Sequence, residues 1–203
     1  MQYEELSAEY MDRQRKGRLM LLTMLIFFAA PVVAVLAMYK LDWRPQGSSA
    51  GELVVPAKLL KVSALLHQHD GSVTNAVFKD KWSMVYVSGK CAEACKEKLH
   101  IMRQLHASLY KEIPRMQRVW LTTTVDVTTQ KNDYPDMLIL NQPTEAVVSL
   151  AEQFKIADEQ VLSADRLYLV DPLGHLMMSY RADTPAKNIR KDITHLMKYS
   201  WAG

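Results

Sequence analysis

The hydrophobic pattern of the chain begins with a long apolar segment, residues 19–39, which contains no charged residue. A helix rises about 1.5 Å per residue, so a segment of this length covers a hydrocarbon core of about 30 Å. The segment predicts one membrane-spanning helix, in which Pro31 is tolerated as a local loss of one hydrogen bond. A cleaved signal peptide has a shorter apolar core, of about 7 to 15 residues, so we favour an uncleaved anchor.

After this segment, short runs of β-prone residues alternate with stretches of helical periodicity. The run at 81–88 is almost continuously apolar, which predicts a central strand covered on both faces of a sheet. Asp70-Gly71 predicts a tight hairpin turn between two earlier strands. In chain order, the predicted strands are 62–66, 73–78, 81–88, 118–125, 166–170 and 175–180.

Three stretches carry apolar residues at spacings of three and four, which predicts helices with one buried face. The first runs from Cys91 toward Pro114, the second opens at Pro143, and the third starts at Pro185 with Thr184 as its expected N-cap. The order of these strands and helices is that of an α/β fold, a thioredoxin-like three-layer sandwich, behind one N-terminal transmembrane helix.

Basic residues are concentrated on one side of the apolar segment. Because basic loops stay in the cytoplasm, the bias predicts an N-terminus inside and a domain on the periplasmic or equivalent outer side of an inner membrane. The expected organisation is a cytoplasmic tail at 1–18, an anchor at 19–39, a linker at 40–52 and a thioredoxin-like domain at 53–203. The basic residues before the segment are Arg13, Arg15, Lys16 and Arg18, and those after it are Lys40 and Arg44.

The overall charge excludes one class of partner. The chain of 203 residues has a formal net charge of only +3. We find no basic stripe in the remaining domain, so nucleic acid is not an expected partner.

The chain contains two cysteines, Cys91 and Cys95, at the predicted junction of the central strand and the first helix. A spacing of four in a helix brings the Cα atoms to about 6 Å, within the range of a disulfide. A bridge across so short a loop stabilises a fold only modestly. The spacing therefore favours redox or metal chemistry over a structural staple.

The position of each cysteine predicts a different role. We expect the helix N-terminus to favour the thiolate of Cys91, and we expect Cys95 to be more buried, one turn further along. Exchange needs an ionised and accessible sulfur, so Cys91 is the expected attacking residue and Cys95 the resolving one. Nearby charges act in both directions and comprise Lys90, Lys96, Glu93 and Glu97.

Histidines are the natural additional ligands for a metal held by two thiolates. His106 is on the face of the cysteines but is separated from Cys95 by eleven residues of helix, about 16 Å. His175 follows a turn at the far end of the sheet, and His67 and His69 belong to the predicted hairpin. None of the four is expected to complete a site with the cysteines.

The domain resembles the Sco/SenC group of membrane-anchored thioredoxin-like proteins. The resemblance is carried by the anchor, by "HDGSVTNAVFKDKWSMVYV" before the Cys-x-x-x-Cys pair, and by "LNQPTEAVVSLAEQFKI" and "LYLVDPLGHL" after it. It implies a role in cytochrome c oxidase assembly, with the copper-binding subunit of that oxidase as partner.

Two departures from the group concern its copper site. Lys96 stands where the group has a proline after the second cysteine, and the group's third ligand, a histidine, falls near Ser163, where this chain has none. A copper site of the usual two-thiolate, one-imidazole type is therefore not expected. Cu(I) accepts two soft ligands, so a site of Cys91 and Cys95 alone stays open.

Three functions remain open at this point. In the first, Cys91 and Cys95 perform thiol-disulfide exchange during oxidase assembly, and the protein is a thiol-disulfide oxidoreductase. In the second, the two thiolates deliver Cu(I). In the third, the domain is a non-catalytic scaffold.

Overall fold

The computed structural model describes residues 2–40, 49–62, 66–68, 71–73 and 75–200. It consists of two compact units, Met1–Ser48 and Ser49–Gly203. The linker expected at 40–52 falls largely outside the described residues, as do His69 and Asp70 of the predicted hairpin turn.

The first unit is a helix, α1, at Gln2–Lys40. Within it, Arg15–Lys40 is long and apolar enough to cross a membrane, and the large apolar side chains of this part are exposed. Pro31 lies inside the helix, as expected from the sequence. The helix begins well before the apolar segment because the polar residues that precede it, rich in Glu, Arg and Gln, are also good helix formers.

The second unit is built on one sheet of eight strands, in the order β1-β8-β7-β4-β5-β6-β2-β3. β4 is parallel to β5 and antiparallel to β7, and β5 is parallel to β6. The strands are β1 (Glu52–Leu59), β2 (Leu66–Gln68), β3 (Gly71–Val73), β4 (Trp82–Ser88), β5 (Met116–Thr122), β6 (Leu138–Gln142), β7 (Leu167–Val170) and β8 (His175–Tyr180).

Helices cover both faces of the sheet. One face packs against α2 and α5, through residues such as Leu99 and Ile193, and the other packs against α4 through Val147 and Leu150. This arrangement confirms the predicted three-layer sandwich. The helices of this unit are α2 (Glu93–Ala107), α3 (Thr128–Asp133), α4 (Thr144–Ala151) and α5 (Ala186–Tyr199).

β4 confirms the prediction of a strand covered on both faces, since all seven of its residues are buried. Alternate side chains enter the two cores: Met84 and Tyr86 face α2 and α5, whereas Val85 and Val87 face α4. This two-sided burial places the end of β4, and the cysteines that follow it, in the middle of the sheet.

Among the strands and α-helices that the structure describes, three were not predicted from the sequence. β1 contains Pro56 and is mostly exposed, so it lacks the alternation of a half-buried strand. β6 is only five residues long and is followed directly by Pro143. It was therefore not distinguished from the start of the predicted helix. α3 spans six residues, too few for a hydrophobic period to emerge.

Other boundaries also differ from the prediction. The hairpin strands are shorter than expected, and residues Asn75–Phe78 form a 3₁₀ helix rather than a strand. Thr184 is not the N-cap of α5, because that position belongs to Pro185 and the helix has no side-chain cap. The first helix of the domain begins at Glu93, two residues after Cys91.

A buried carboxylate ties the start of the sheet to the last helix. Asp192 of α5 accepts hydrogen bonds at Oδ2 from Ser49 Oγ (2.9 Å), from the Ala50 amide (2.9 Å) and from the Gly51 amide (3.1 Å). Its side chain is largely shielded from water, so these three donors are the groups that compensate its charge. Asp192 therefore fixes the entry of the chain into β1.

Removing this carboxylate should destabilise the domain. Asp192→Ala leaves two backbone amides without their acceptor, and we expect the free energy of unfolding to fall by about 2–4 kcal/mol. Urea denaturation of the full chain in mild detergent, followed by tryptophan fluorescence, measures the change. Glu145→Ala, at an exposed position on α4, is the control, and equal stabilities of the two variants would refute the role given to Asp192.

Candidate functional site

The two cysteines lie at the carboxyl end of β4 and form a disulfide. Their Cα atoms are 5.0 Å apart, somewhat closer than the spacing expected for an undistorted helix. Cys91 precedes the N-cap residue Ala92, and Cys95 lies in the first turn of α2. The structure thus brings together the pair that the sequence singled out.

The two sulfur-bearing residues differ in burial, as expected. Cys95 is 3% exposed and belongs to the core cluster that also contains Leu99 and Met102. Cys91 is partly buried and packs against the edge of that cluster. An incoming thiolate therefore has readier access to Cys91 than to Cys95.

The loop before Cys91 is held from both sides. The Gly89 amide donates to the Leu162 carbonyl at 2.8 Å. On the other side, the hydroxyls of Thr123 and Thr124 donate to the Gly89 carbonyl at 2.9 and 3.2 Å. These hydrogen bonds attach the loop to the segments that follow β5 and precede β7. They therefore fix the backbone that leads into the disulfide.

Charges around the disulfide partly cancel. Lys96 Nζ lies 2.7 Å from Glu93 Oε1, and this hydrogen bond, followed by the negative charge of Glu93, raises the pKa of Lys96. Lys98, which the sequence analysis did not single out, is buried and donates from Nζ to the Ala182 carbonyl at 3.0 Å. Two of the nearby lysines are therefore already engaged within the protein.

A buried polar network reaches the inner sulfur, and sequence reasoning missed it. Trp120 Nε1 donates to Ser88 Oγ at 2.9 Å, and Ser88 Oγ lies 3.9 Å from Cys95 Sγ. Tyr86, two residues before Ser88 on the same face of β4, donates from its hydroxyl to Asp165 Oδ1 at 2.6 Å. The available signal was a tyrosine and two serines within a mostly apolar central strand.

Burial and Asp165 keep the hydroxyl of Tyr86 protonated. Burial is the larger cause that raises the pKa of Tyr86, and the hydrogen bond and charge of Asp165 raise it further. The opposing effect of a hydrogen bond from Ser88 is smaller. Tyr86 is therefore a neutral member of the network.

Ser163, at the position where a histidine was sought, lies in the 3₁₀ helix Val161–Ser163. It is exposed, and its hydroxyl donates to the Gln160 carbonyl at 3.2 Å. Its neighbour Leu162 bonds to Gly89, so this segment does approach the loop that carries Cys91. The side chain present there is a hydroxyl rather than an imidazole.

The histidines considered as ligands lie elsewhere. His106 Nε2 is 3.0 Å from the Met116 carbonyl, and His106 Nδ1 is 3.9 Å from Asp136, which also pairs with the buried Arg118. His175 Nδ1 is 3.1 Å from an oxygen of Asp171. His106 is therefore a partly buried side chain whose partners lie away from the cysteines.

The strand register confirms that His175 lies at the far end of the sheet. Val170 of β7, which leads into the turn before His175, pairs with Ser83 near the start of β4, whereas the cysteines follow the end of β4. The side chain of His67 and all of His69 are outside the described residues.

The ligands available at the disulfide limit which metals could bind there. Within the part of the chain that the structure describes, no group of three or more His, Cys, Asp or Glu side chains is arranged to hold a metal ion. Both sulfurs are bonded to each other, so either becomes a ligand only after reduction. Two thiolates suit a two-coordinate soft metal, and among the described residues no third His, Cys, Asp or Glu side chain joins them.

Comparison with solved structures identifies the fold. The apo Sco1 protein of Thermus thermophilus superposes with a TM-score of 0.60 at 18% identity, covering 75% of this chain and 99% of that one. Yeast Sco1 with copper bound gives 0.57 at 17% identity, with coverage of 77% and 96%. A thiol:disulfide interchange protein from Bacteroides sp. gives 0.50 at 14% identity, with coverage of 76% and 95%. At these identities the likeness establishes a shared thioredoxin-like fold, and it confirms the resemblance to Sco proteins at that level.

Comparison by sequence gives the family. No curated protein matches the chain. The family model described as "Transmembrane-like, thioredoxin-like, C-terminal domain" matches residues 82–200, from the first residue of β4 to the end of the last described helix. This match spans more than half of the chain, which therefore belongs to the transmembrane-like, thioredoxin-like protein family.

Proposed function

We propose that this protein is a membrane-anchored thiol-disulfide exchange factor that assists the assembly of the copper site of cytochrome c oxidase. The observation that carries the proposal is the disulfide between Cys91 and Cys95 at the end of the central strand, with one sulfur shielded and the other nearer the surface. Catalytic pairs of this kind need one accessible sulfur and one that resolves the intermediate.

A structural role explains the disulfide poorly. The bridge closes a loop with a sequence separation of 4, so it removes little entropy from the unfolded chain. Cys95 is already buried among apolar residues and would pack as a small hydrophobe without the bridge. Exchange chemistry, in contrast, benefits from cysteines that are close in sequence, because a neighbouring thiolate resolves the mixed disulfide quickly.

The exchange proceeds in two balanced steps. In the reduced protein, the thiolate of Cys91 attacks one sulfur of a partner disulfide, and the other partner sulfur leaves as a thiolate with the bonding electron pair. The thiolate of Cys95 then attacks Cys91 Sγ in the mixed disulfide. This restores the Cys91–Cys95 bond and releases the second partner sulfur, so the partner becomes a dithiol while this protein is oxidised.

The proposed partner is the copper-binding subunit of cytochrome c oxidase. Support comes from the sequence resemblance to the Sco/SenC group and from the fold shared with Sco proteins, although the fold alone does not define a partner. Cysteines that bind copper must be reduced before the metal enters, so a reductant of a cysteine pair suits such a subunit.

A second candidate function is delivery of Cu(I), and the donor set at the site supports it. Copper is then cargo, held between two thiolates after reduction of Cys91 and Cys95. Yeast Sco1 in the similar structure has copper bound. The serine at position 163 argues against a third ligand of the usual type, so the copper site proposed here has two ligands.

We further propose that 19–39 anchors the protein in the inner membrane, with 1–18 in the cytoplasm, 40–52 as a linker and 53–203 on the periplasmic or equivalent outer side. The basic residues before the apolar segment support this orientation. Outside the cytoplasm, a disulfide such as Cys91–Cys95 persists.

Cysteine variants test the exchange mechanism. Cys95→Ser should accumulate a mixed disulfide between Cys91 and its partner, because no thiolate remains to resolve it. Cys91→Ser is the matched control and should accumulate none, since the remaining sulfur is buried. A non-reducing gel of membranes from cells that express each variant detects the adduct. No adduct with either variant would favour the scaffold interpretation.

Copper titration tests the second candidate. The reduced full chain in detergent should bind one Cu(I), and either cysteine-to-serine variant should lose this binding, because one thiolate cannot hold the ion alone. Ser163→His should increase Cu(II) affinity by adding an imidazole near the pair. Strong thiolate-to-Cu(II) absorption from the unmodified protein would contradict the two-ligand site.

The orientation is tested with a reporter that is active only in the cytoplasm. Fused after Gly203 it should be inactive, and fused before Met1 it should be active. Activity of the C-terminal fusion, or a mature N-terminus near Met38, would reject the uncleaved anchor with an external domain.

A further inference from the structure

A buried hydroxyl group touches the inner sulfur of the disulfide. Ser88, the last residue of β4, is 4% exposed, and its Oγ is oriented to donate to Cys95 Sγ over 3.9 Å, which is a long hydrogen bond to sulfur. A polar side chain in this position is costly unless its hydrogen bonds are satisfied. The donor and the acceptor that are hydrogen-bonded to Ser88 therefore indicate the role of its hydroxyl.

Trp120 is the donor of the hydrogen bond that Ser88 Oγ accepts. The indole Nε1–H group is a donor only, and it donates to Ser88 Oγ at 2.9 Å. Trp120 is fully buried on the neighbouring strand β5, so its ring is held by the core. With its oxygen used as an acceptor, Ser88 has its own hydroxyl proton to donate elsewhere.

The acceptor that the geometry offers for that proton is Cys95 Sγ, since the nearby hydroxyl of Tyr86 is hydrogen-bonded to Asp165. In a disulfide the sulfur is neutral and a weak acceptor. After reduction the sulfur can carry a full negative charge, and hydrogen bonds to an anion are about twice as strong as those between neutral groups.

We propose that Ser88 is a catalytic hydrogen-bond donor that stabilises the thiolate of Cys95, and that Trp120 is the residue that positions it. The proposal rests on the exchange function given above. It gives a chemical reason for the different roles of the two sulfurs in that exchange. The sulfur that leaves when the disulfide opens, and that attacks when it closes, is the one next to Ser88.

The hydrogen bond acts in both directions of the reaction. When an external thiolate attacks Cys91 Sγ, the Cys91–Cys95 bond breaks and Cys95 departs with the electron pair, so its negative charge forms beside the Ser88 hydroxyl. When Cys95 later attacks the mixed disulfide at Cys91, the same charge is consumed. Stabilising the thiolate of Cys95 therefore favours attack at Cys91 over attack at Cys95, in which Cys91 would be the leaving sulfur.

Other charged groups near the pair do not replace Ser88 in this role. On α2, Glu93 and Lys96 pair with each other, and Lys98 donates to a backbone carbonyl. Asp165, which precedes β7, approaches through Tyr86 and is negative, so it opposes a second negative charge. Among the side chains that the structure describes, Ser88 is therefore the one that favours ionisation of Cys95 by direct contact.

The test measures the ionisation of Cys95 directly. The full chain is purified in detergent as the Cys91→Ser variant with ¹³C-labelled cysteine, so that Cys95 gives one ¹³Cβ signal whose shift reports the thiolate without any reagent. Adding Ser88→Ala should raise the apparent pKa by about one unit, roughly a tenfold loss of thiolate below that pH. Ser88→Thr keeps a hydroxyl and should restore most of the shift.

Ser83→Ala is the matched control, because Ser83 is also fully buried on β4 and its hydroxyl is bonded by Gln117 Nε2 at 2.7 Å. It should leave the Cys95 titration unchanged. Trp120→Phe, which removes the indole donor, should shift the pKa in the same direction as Ser88→Ala but by less. It also provides a second variant if Ser88→Ala does not fold.

An unchanged pKa in folded Ser88→Ala, or in folded Trp120→Phe if the first variant is unstable, would overturn the role of Ser88. An equal shift in Ser83→Ala would do the same, since it would indicate a general effect on the strand. The titration requires no partner protein, so its failure is separate from a failure to trap a mixed disulfide in membranes.

Discussion

The seven residues of β4 are buried on both faces of the sheet, and most other features of the domain follow from this constraint. A strand buried in this way must have neighbours on both sides and helices above and below, or its apolar side chains would meet water. β5 and β7 supply the neighbours, and α2, α5 and α4 supply the two covering layers. The end of such a strand is then a well-supported position in the middle of the sheet.

The disulfide lies directly after this end of β4. The backbone leaves β4 at Ser88, is held at Gly89 by segments on both sides, and enters α2 within a few residues. Cys91 lies in the turn and Cys95 in the helix, so a short piece of chain presents one sulfur toward the surface and one toward the core. The two sulfurs differ in accessibility because one precedes the helix and the other lies inside it, and no additional element is needed.

Two pairs of polar residues lie within or beside the core next to this site. Ser88 and Trp120 are bonded to each other, and Tyr86 is bonded to Asp165, so each group has a partner that offsets the cost of burial. A core built for stability alone would use apolar residues at these positions, because satisfied polar groups contribute little net free energy. Their presence around Cys95 is consistent with chemistry at that sulfur.

Local patterns along the chain are sufficient to predict the apolar segment, the central strand, the inward faces of the main helices, and the closeness of Cys91 and Cys95. These features depend on local composition and on periods of two or 3.6 residues, which are read directly from neighbouring positions. Other features depend on contacts between distant parts of the chain. β1 and β6 exist because β8 and β5 offer them hydrogen-bonding partners, which their own short or exposed sequences do not indicate. The contact of Ser88 with Cys95 and Trp120 likewise joins residues 7 and 32 positions apart, and only the packing of α2 and β5 against β4 brings them within hydrogen-bonding distance.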